Sequence, residues 1–159
     1  QINPSAITWF EFQFGENNNL HYDAVIIDPE NKRLLLIESK RFSNPHTKIA
    51  SIANDIDRIQ NIKNNYRDDF MSRIPDISNY QIFVVILADV WTETRKKKQI
   101  YDSFVAGTFI TDFLEDNLIK YPSLHNATYY VGDFDNLPCD APKRDVLQTY
   151  HLVSFAWEI

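Results

Sequence analysis

The sequence predicts an α/β chain, a mixed β-sheet flanked by helices. Three stretches carry that expectation. Residues 21–42, HYDAVIIDPENKRLLLIESKRF, hold two apolar runs, 24–27 and 34–37, around Pro29-Glu30-Asn31-Lys32, which is the signal of a hairpin. Residues 46–68 repeat apolar side chains at steps of three and four, which is the signal of an amphipathic helix. Residues 80–91, YQIFVVILADVW, are nearly all apolar, as in a strand buried on both faces.

The elements follow in order. ITWFEFQF at 7–14 alternates, with Phe10, Phe12 and Phe14 on one face and Trp9, Glu11 and Gln13 on the other, and reads as a strand. GENNN turns the chain, because Gly and Asn tolerate positive φ. The hairpin strands come next. In the helix, Ile49, Ile52, Ala53, Ile56, Ile59, Ile62 and Tyr66 form the apolar stripe, with Asp55, Arg58, Gln60 and Lys63 off it or at its margins. Tyr66 is expected in the core and Gln60 in solvent. The central strand at 80–91 follows, placed parallel to another core strand by the helical crossover. A helical region spans 93–119, with Ile100, Phe104, Phe113 and Leu114 inward and Gly107 as an interruption. ATYYVGDF at 127–134 and YHLVSFAWEI at the end read as two more strands, joined by a loop that holds Pro138 and Pro142.

At 159 residues the chain is expected to be a single domain, 1–159. No apolar run approaches the roughly 20 residues that span a bilayer. The one cysteine, Cys139, cannot form an internal disulfide and fits a reducing, cytoplasmic setting. A net charge of −6 argues against tight, non-specific DNA binding. Positive charge is nevertheless clustered at Lys40-Arg41, Arg95-Lys96-Lys97-Lys98 and Lys143-Arg144. The four-residue run reads either as a solvated first helical turn or as a phosphate-contacting patch. His21, His46, His125 and His151 lack zinc-ligand spacing, three glycines make no phosphate loop, and no serine has a nucleophile-elbow context.

Chemistry concentrates at the hairpin. If Asp28 pairs with Arg33, then Asp23 falls opposite Glu38, at about 5 Å between Cβ atoms, and His21 opposite Lys40. Period-two alternation puts Asp23, Glu38 and Lys40 on one face. If Phe14 pairs with Leu20, Glu11 lies across from Asp23 as a third carboxylate or as a solvent-facing residue; Glu16 is a weaker candidate. Two carboxylates and an ammonium suit a hard divalent cation and phosphodiester hydrolysis. Mg²⁺ takes one or two carboxylates with water and phosphate.

These residues resemble the signature of the PD-(D/E)xK nuclease superfamily: an acid on one strand, a short hairpin, then Glu-x-Lys. Here the positions read Asp23 and Glu38-Ser39-Lys40, with Tyr22 where the signature has proline. The resemblance implies the restriction-endonuclease-like fold, an αβββαβ core. Its first helix would lie at or before Gln1 and is missing or very short here; a chain that starts with Gln rather than Met is read as a fragment or a processed form. It implies Mg²⁺ (or Mn²⁺) held by Asp23, Glu38 and the Ser39 backbone carbonyl; Glu11, brought in by the strand register and not by the resemblance, is either a further ligand or a solvent-facing residue. Lys40 would be the base or the water-positioning group, with His21 and Gln13 as accessories. Arg41, Arg95, Lys96, Lys97 and Lys98 would contact phosphates. The implied function is a DNA endonuclease of restriction or repair type, with nucleic acid, DNA ahead of RNA, as partner, no membrane, and room for a homodimer or larger nuclease complex. The alternative is a non-catalytic domain of this fold that binds nucleic acid or a partner protein.

Overall fold

The hairpin anchors the architecture. β2 (Leu20–Asp28) and β3 (Arg33–Arg41) pair antiparallel with Asp28 opposite Arg33, Ile27 opposite Leu34 and Val25 opposite Leu36, which is the expected register. Asp28 closes the turn by accepting hydrogen bonds from the Asn31 backbone N–H at 3.2 Å and the Asn31 side-chain amide at 2.7 Å. Lys32 then reverses the chain with a φ of 52°. The computed structural model describes residues 5–14, 20–65, 72, 77–92, 94–137 and 148–159. Glu16, Tyr66, Cys139, Lys143 and Arg144 lie outside the described residues.

β1 (Ile7–Phe14) pairs antiparallel with β2, with Phe14 opposite Leu20 as expected. Helix α1 (Pro45–Asn65) starts with proline in its first turn, where the missing N–H costs nothing, and Asn44 accepts from the Thr47 N–H at 3.4 Å. The helix returns the chain so that β4 (Gln81–Trp91) runs parallel to β3, aligning Glu38 with Ile86, Lys40 with Ala88 and Arg41 with Asp89. β5 (Thr128–Leu137) and β6 (Gln148–Glu158) complete the sheet, β6 pairing antiparallel with both β4 and β5. Among the described residues the strand order is β1-β2-β3-β4-β6-β5, a mixed α/β arrangement in which β3 and β4 form the one parallel pair of an otherwise antiparallel six-stranded sheet.

The helical region after β4 divides where Gly107 stands. Helix α2 (Arg95–Ala106) ends there because Gly107 adopts φ 70°, its N–H bonding Phe104 O while the Thr108 N–H bonds Ser103 O. A side chain at that φ would be strained, so glycine is the natural stop. Two short helices follow, α3 (Phe109–Phe113) and α4 (Glu115–Lys120). Thr94 caps α2 by accepting from the Lys97 N–H at 3.3 Å.

One face of the sheet carries the core. Leu34 and Leu36 of β3, Val84, Ile86, Ala88 and Val90 of β4, and Val153, Phe155 and Trp157 of β6 alternate into a cluster with Ile52, Ile56 and Ile59 of α1 and Ile100 and Phe104 of α2. The strand residues between them, among them Leu35, Ile37, Val85, Leu87 and Leu152, are half-buried. β4, expected to be buried on both faces, is therefore fully buried on one. No helix among the described residues is long and apolar enough to cross a membrane.

Ile56 is fully buried where α1 meets the sheet. Ile56→Ala should lower stability by about 2–5 kcal/mol through lost burial and the cavity left behind. Ile119→Ala, on an exposed side chain, should change it by less than about 0.5 kcal/mol. Urea unfolding followed by far-UV circular dichroism reads both. Equal effects would mean that α1 does not dock as described.

Candidate active site

Glu38 is a buried acid of the sheet, 4% exposed near the C-terminal end of β3. A carboxylate in that position must be paired or else bind a proton. Two cations meet it. Arg58 of α1 donates from Nη2 to Glu38 Oε1. Lys40 Nζ lies 3.4 Å from Glu38 Oε2. Asp55, one turn before Arg58, closes the square: its Oδ2 is 2.8 Å from Lys40 Nζ and its Oδ1 3.3 Å from Arg58 Nη2. Two acids and two bases alternate around a cluster that water reaches poorly, so each charge has an opposite neighbour. Arg58 is held further by the His21 carbonyl, which accepts from Nη1 at 3.3 Å, and by the Tyr22 ring, 5.9 Å from the guanidinium carbon.

The titration of these groups follows from burial and neighbours. Burial pushes the Glu38 carboxyl above its ordinary value, helped by the charges of Asp55 and Asp23; Arg58 and Lys40 oppose this without cancelling it. For Lys40, burial pulls the ammonium down, but the hydrogen bond and charge of Asp55, together with Glu38, outweigh it, so Lys40 is held above its ordinary value. Burial drives the Tyr22 phenol far up, so it stays protonated.

Asp23 departs from simple alternation. The β2–β3 ladder ends at Ala24 opposite Ile37, and Tyr22, Ala24 and Val25 are all buried, so the inward side changes phase along β2. Tyr22 therefore comes under the field of Arg58, Glu38 and Asp55. The Asp23 carboxylate instead bridges to β3, accepting from the Ser39 backbone N–H at 2.6 Å and the Ser39 hydroxyl at 2.8 Å. The structure thus brings Glu38 and Lys40 together and sets Asp23 against Ser39, within electrostatic reach of Glu38 but not on its hydrogen-bonded square. Asp23 oxygens, Glu38 oxygens and the Ser39 main chain are hard donors of the kind Mg²⁺ accepts, and two carboxylates suffice for an ion that keeps its waters. Among the described residues no group of three or more His, Cys, Asp and Glu side chains is placed to hold a metal ion as it stands, and Arg58 already occupies one Glu38 oxygen.

Glu11 does not join the acidic group in the expected way. The β1–β2 register runs unchanged on both sides of it, yet Glu11 and Asp23 do not pair across the ladder, and Glu11 has φ 50°, a region that side-chain-bearing residues seldom occupy. Its exposed carboxylate faces His21 Nε2 at 3.6 Å. Among the described residues the His21 ring meets Glu11 rather than Lys40. Gln13 sits exposed, opposite His21.

The basic residues divide. Arg41 is exposed and donates from Nε to Asp89 Oδ2 at 3.2 Å. Arg95 is exposed, Lys96 lies 4.7 Å above the Phe113 ring, Lys97 is buried, and Lys98 pairs with Asp102 at 2.8 Å. A uniform solvated turn does not describe them. Because β4 runs parallel to β3, this run and Lys40 stand toward the same end of the sheet.

Asp55 and Arg58 are what sequence reading missed. The signal was present: Asp55 lies three residues after Ile52 and four before Ile59, on the stripe rather than off it. Gln60, expected in solvent, is half-buried. Comparison of the chain with protein-family models, curated proteins and solved structures gave no match.

A raised carboxyl gives a signed expectation. The fold favours protonated Glu38, so that contribution to stability is complete below 4.5, the ordinary value, and is lost as pH rises through the higher folded value. At neutral pH ionised Glu38 therefore costs stability. In EDTA, Glu38→Gln should be more stable than wild type at pH 7, and the gap should close toward pH 4. Urea midpoints across that range measure it; a gap independent of pH would show that Glu38 titrates as it does in the unfolded chain.

Proposed function

We propose that this protein is a divalent-metal-dependent phosphodiester hydrolase of restriction-endonuclease-like fold acting on nucleic acid, DNA ahead of RNA, inside the cell. The observation that carries the reading is the buried Glu38–Lys40 pair, fixed by Asp55 and Arg58, at the C-terminal end of the one parallel strand pair and beside Asp23. The ends of parallel strands are where open sheets characteristically present ligand sites. The three-strand, helix, strand order agrees with the core that the PD-(D/E)xK resemblance implies.

Glu38 and the Ser39 carbonyl would hold the ion, with Asp23 joining them by giving up its contacts to the Ser39 hydroxyl and N–H. When bound, it polarises the phosphate and makes water a stronger nucleophile. Water forms a bond to phosphorus while a P–O ester bond breaks; the water's proton passes to bulk solvent, the leaving oxygen takes one up from solvent, and negative charge builds on the phosphoryl oxygens. Lys40, held as an ammonium by Asp55 and Glu38, suits the task of orienting the water and countering that charge, not of taking up a proton. Asp55 keeps its Nζ aimed. Arg58, with a planar fork of donors, can move from Glu38 to phosphate oxygens when substrate arrives. A second reading is favoured by the engagement of both Glu38 oxygens by cations: a non-catalytic domain of this fold that binds nucleic acid or a partner protein.

The deciding assay presents single-stranded, duplex, branched and RNA substrates with Mg²⁺, Mn²⁺, Ca²⁺ or EDTA. Cleavage should require Mg²⁺ or Mn²⁺. Lys40→Ala should slow the bound-state rate by about 10²-fold or more while calorimetry still finds metal binding. Asp23→Asn and Glu38→Gln should lose both. Asp55→Asn should lower kcat with little change in KM. An inert wild type on every substrate hands the case to the non-catalytic reading.

A further inference from the structure

On the other side of Glu38-Ser39-Lys40-Arg41 lies a cleft of about 430 Å³ that the hydrolytic group does not use. Its lining includes Lys40, Arg41, Leu87, Asp89, Tyr150 and Leu152. The volume falls in the usual range for small-molecule sites, and the lining mixes an apolar floor with a few polar groups, as such sites do. Leu87 and Leu152 supply the floor, both half-buried on the sheet face away from α1. Tyr150 forms a wall and is braced on two sides, with its ring centroid 5.2 Å from Trp91 and 5.8 Å from Phe134. Asp89 is buried to about nine-tenths; Arg41 engages its Oδ2, and its Oδ1 has no hydrogen-bond partner among the described residues. A buried acceptor left in that state is costly, and it calls for a donor. Arg41 stands 79% exposed at the rim.

These groups sort into the parts of a nucleotide. A braced aromatic ring and an apolar floor take the faces of a base. The Asp89 carboxylate takes N–H donors on the pairing edge once Arg41 leaves it for phosphate. Exposed Arg41 takes phosphate. We propose that this cleft is a nucleobase subsite for the nucleotide next to the scissile phosphate, selective for a base with N–H donors on its pairing edge, and for guanine first. The proposal rests on the nucleic-acid reading above and adds a base preference to it. Guanine offers two adjacent donors, which a carboxylate can accept together. Thymine offers one N–H flanked by carbonyls that would face the carboxylate. Burial and the charge of Asp89 hold the Tyr150 phenol above its ordinary value despite Arg41, so it remains an O–H donor at neutral pH.

The test reads binding and needs no catalysis. The full chain in EDTA is titrated with dGMP, dCMP, dAMP and dTMP and followed by amide chemical shifts. Expected is saturable binding with shifts at Arg41, Asp89 and Tyr150, and dGMP about tenfold tighter than dTMP. Asp89→Asn, nearly isosteric, should erase the preference, Tyr150→Ala should weaken every nucleotide, and Leu152→Trp should block the cleft; the spectra also report whether each variant is folded. Equal affinity for all four nucleotides, or shifts elsewhere only, overturns the subsite even if the chain cuts DNA. Selective binding at these residues supports it even if the chain cuts nothing, so the two readings fail separately.

Discussion

A buried carboxylate that needs two cations organises this molecule. Glu38 sits among Leu36, Ile86 and Ala88, where an unpaired charge would not survive. Lys40 can serve it only because both side chains project from one strand with period two. Arg58 can serve it only if α1 lies across β3 at one rotation about its axis. Asp55 then becomes necessary, since two cations on one carboxylate leave an excess of positive charge in a poorly solvated place. The apolar stripe of Ile52, Ile56 and Ile59 sets the same rotation. Packing and electrostatics therefore choose one docking of α1, and agreement between the two levels is a mark of a sequence that specifies its fold.

Much of this was legible in the sequence. The hairpin register followed from the turn and the hydrophobic runs, because a slip of one residue would expose Leu34 and Leu36. The strands, α1 and the stop at Gly107 followed from periodicity and from the φ that glycine permits. Asp23 was less legible. Strict alternation gives it the face of Glu38, but alternation assumes an undistorted ladder, and β2 buries both Ala24 and Val25. Glu11, with positive φ on the facing strand, marks the same irregularity. Asp55 and Arg58 were hidden for another reason. Charged residues near a stripe are usually solvated, and nothing local says that their partners come from a strand 15 or more residues earlier. Only the crossover brings α1 over β3.

The square also bears on how such a site would be held before substrate arrives. Two acids and two bases balance, leaving Asp23 as the extra negative charge beside them. A net −6 chain repels polyanions at a distance, so an interface must rely on local cations. In the proposed reading Arg58 and Arg41 are such cations, each resting on a carboxylate that a phosphate can replace. The exchange trades one charge-assisted pair for another, which keeps its net cost small. It also releases Glu38 at the moment when a divalent ion and a phosphate could both claim it. Metal and substrate binding would then reinforce each other, whereas either alone would meet the Arg58–Glu38 pair intact.

The segment Glu38-Ser39-Lys40-Arg41 explains how one strand end can serve two purposes. Alternation sends Glu38 and Lys40 toward α1 and sends Ser39 and Arg41 toward the opposite side. On the first side the charges are paired and half-hidden, as a reactive group needs. On the second, Ser39 takes the Asp23 carboxylate while Arg41 reaches Asp89 on β4. Because β3 and β4 are parallel, Arg41 and Asp89 are aligned neighbours, and Tyr150 arrives from β6, which pairs with β4 on its other side. An antiparallel β4 would have carried its far end, with Asp89 and Trp91, away from Lys40. The single parallel pairing in this sheet is thus what places a phosphate-facing group and a base-sized cleft within four residues of each other.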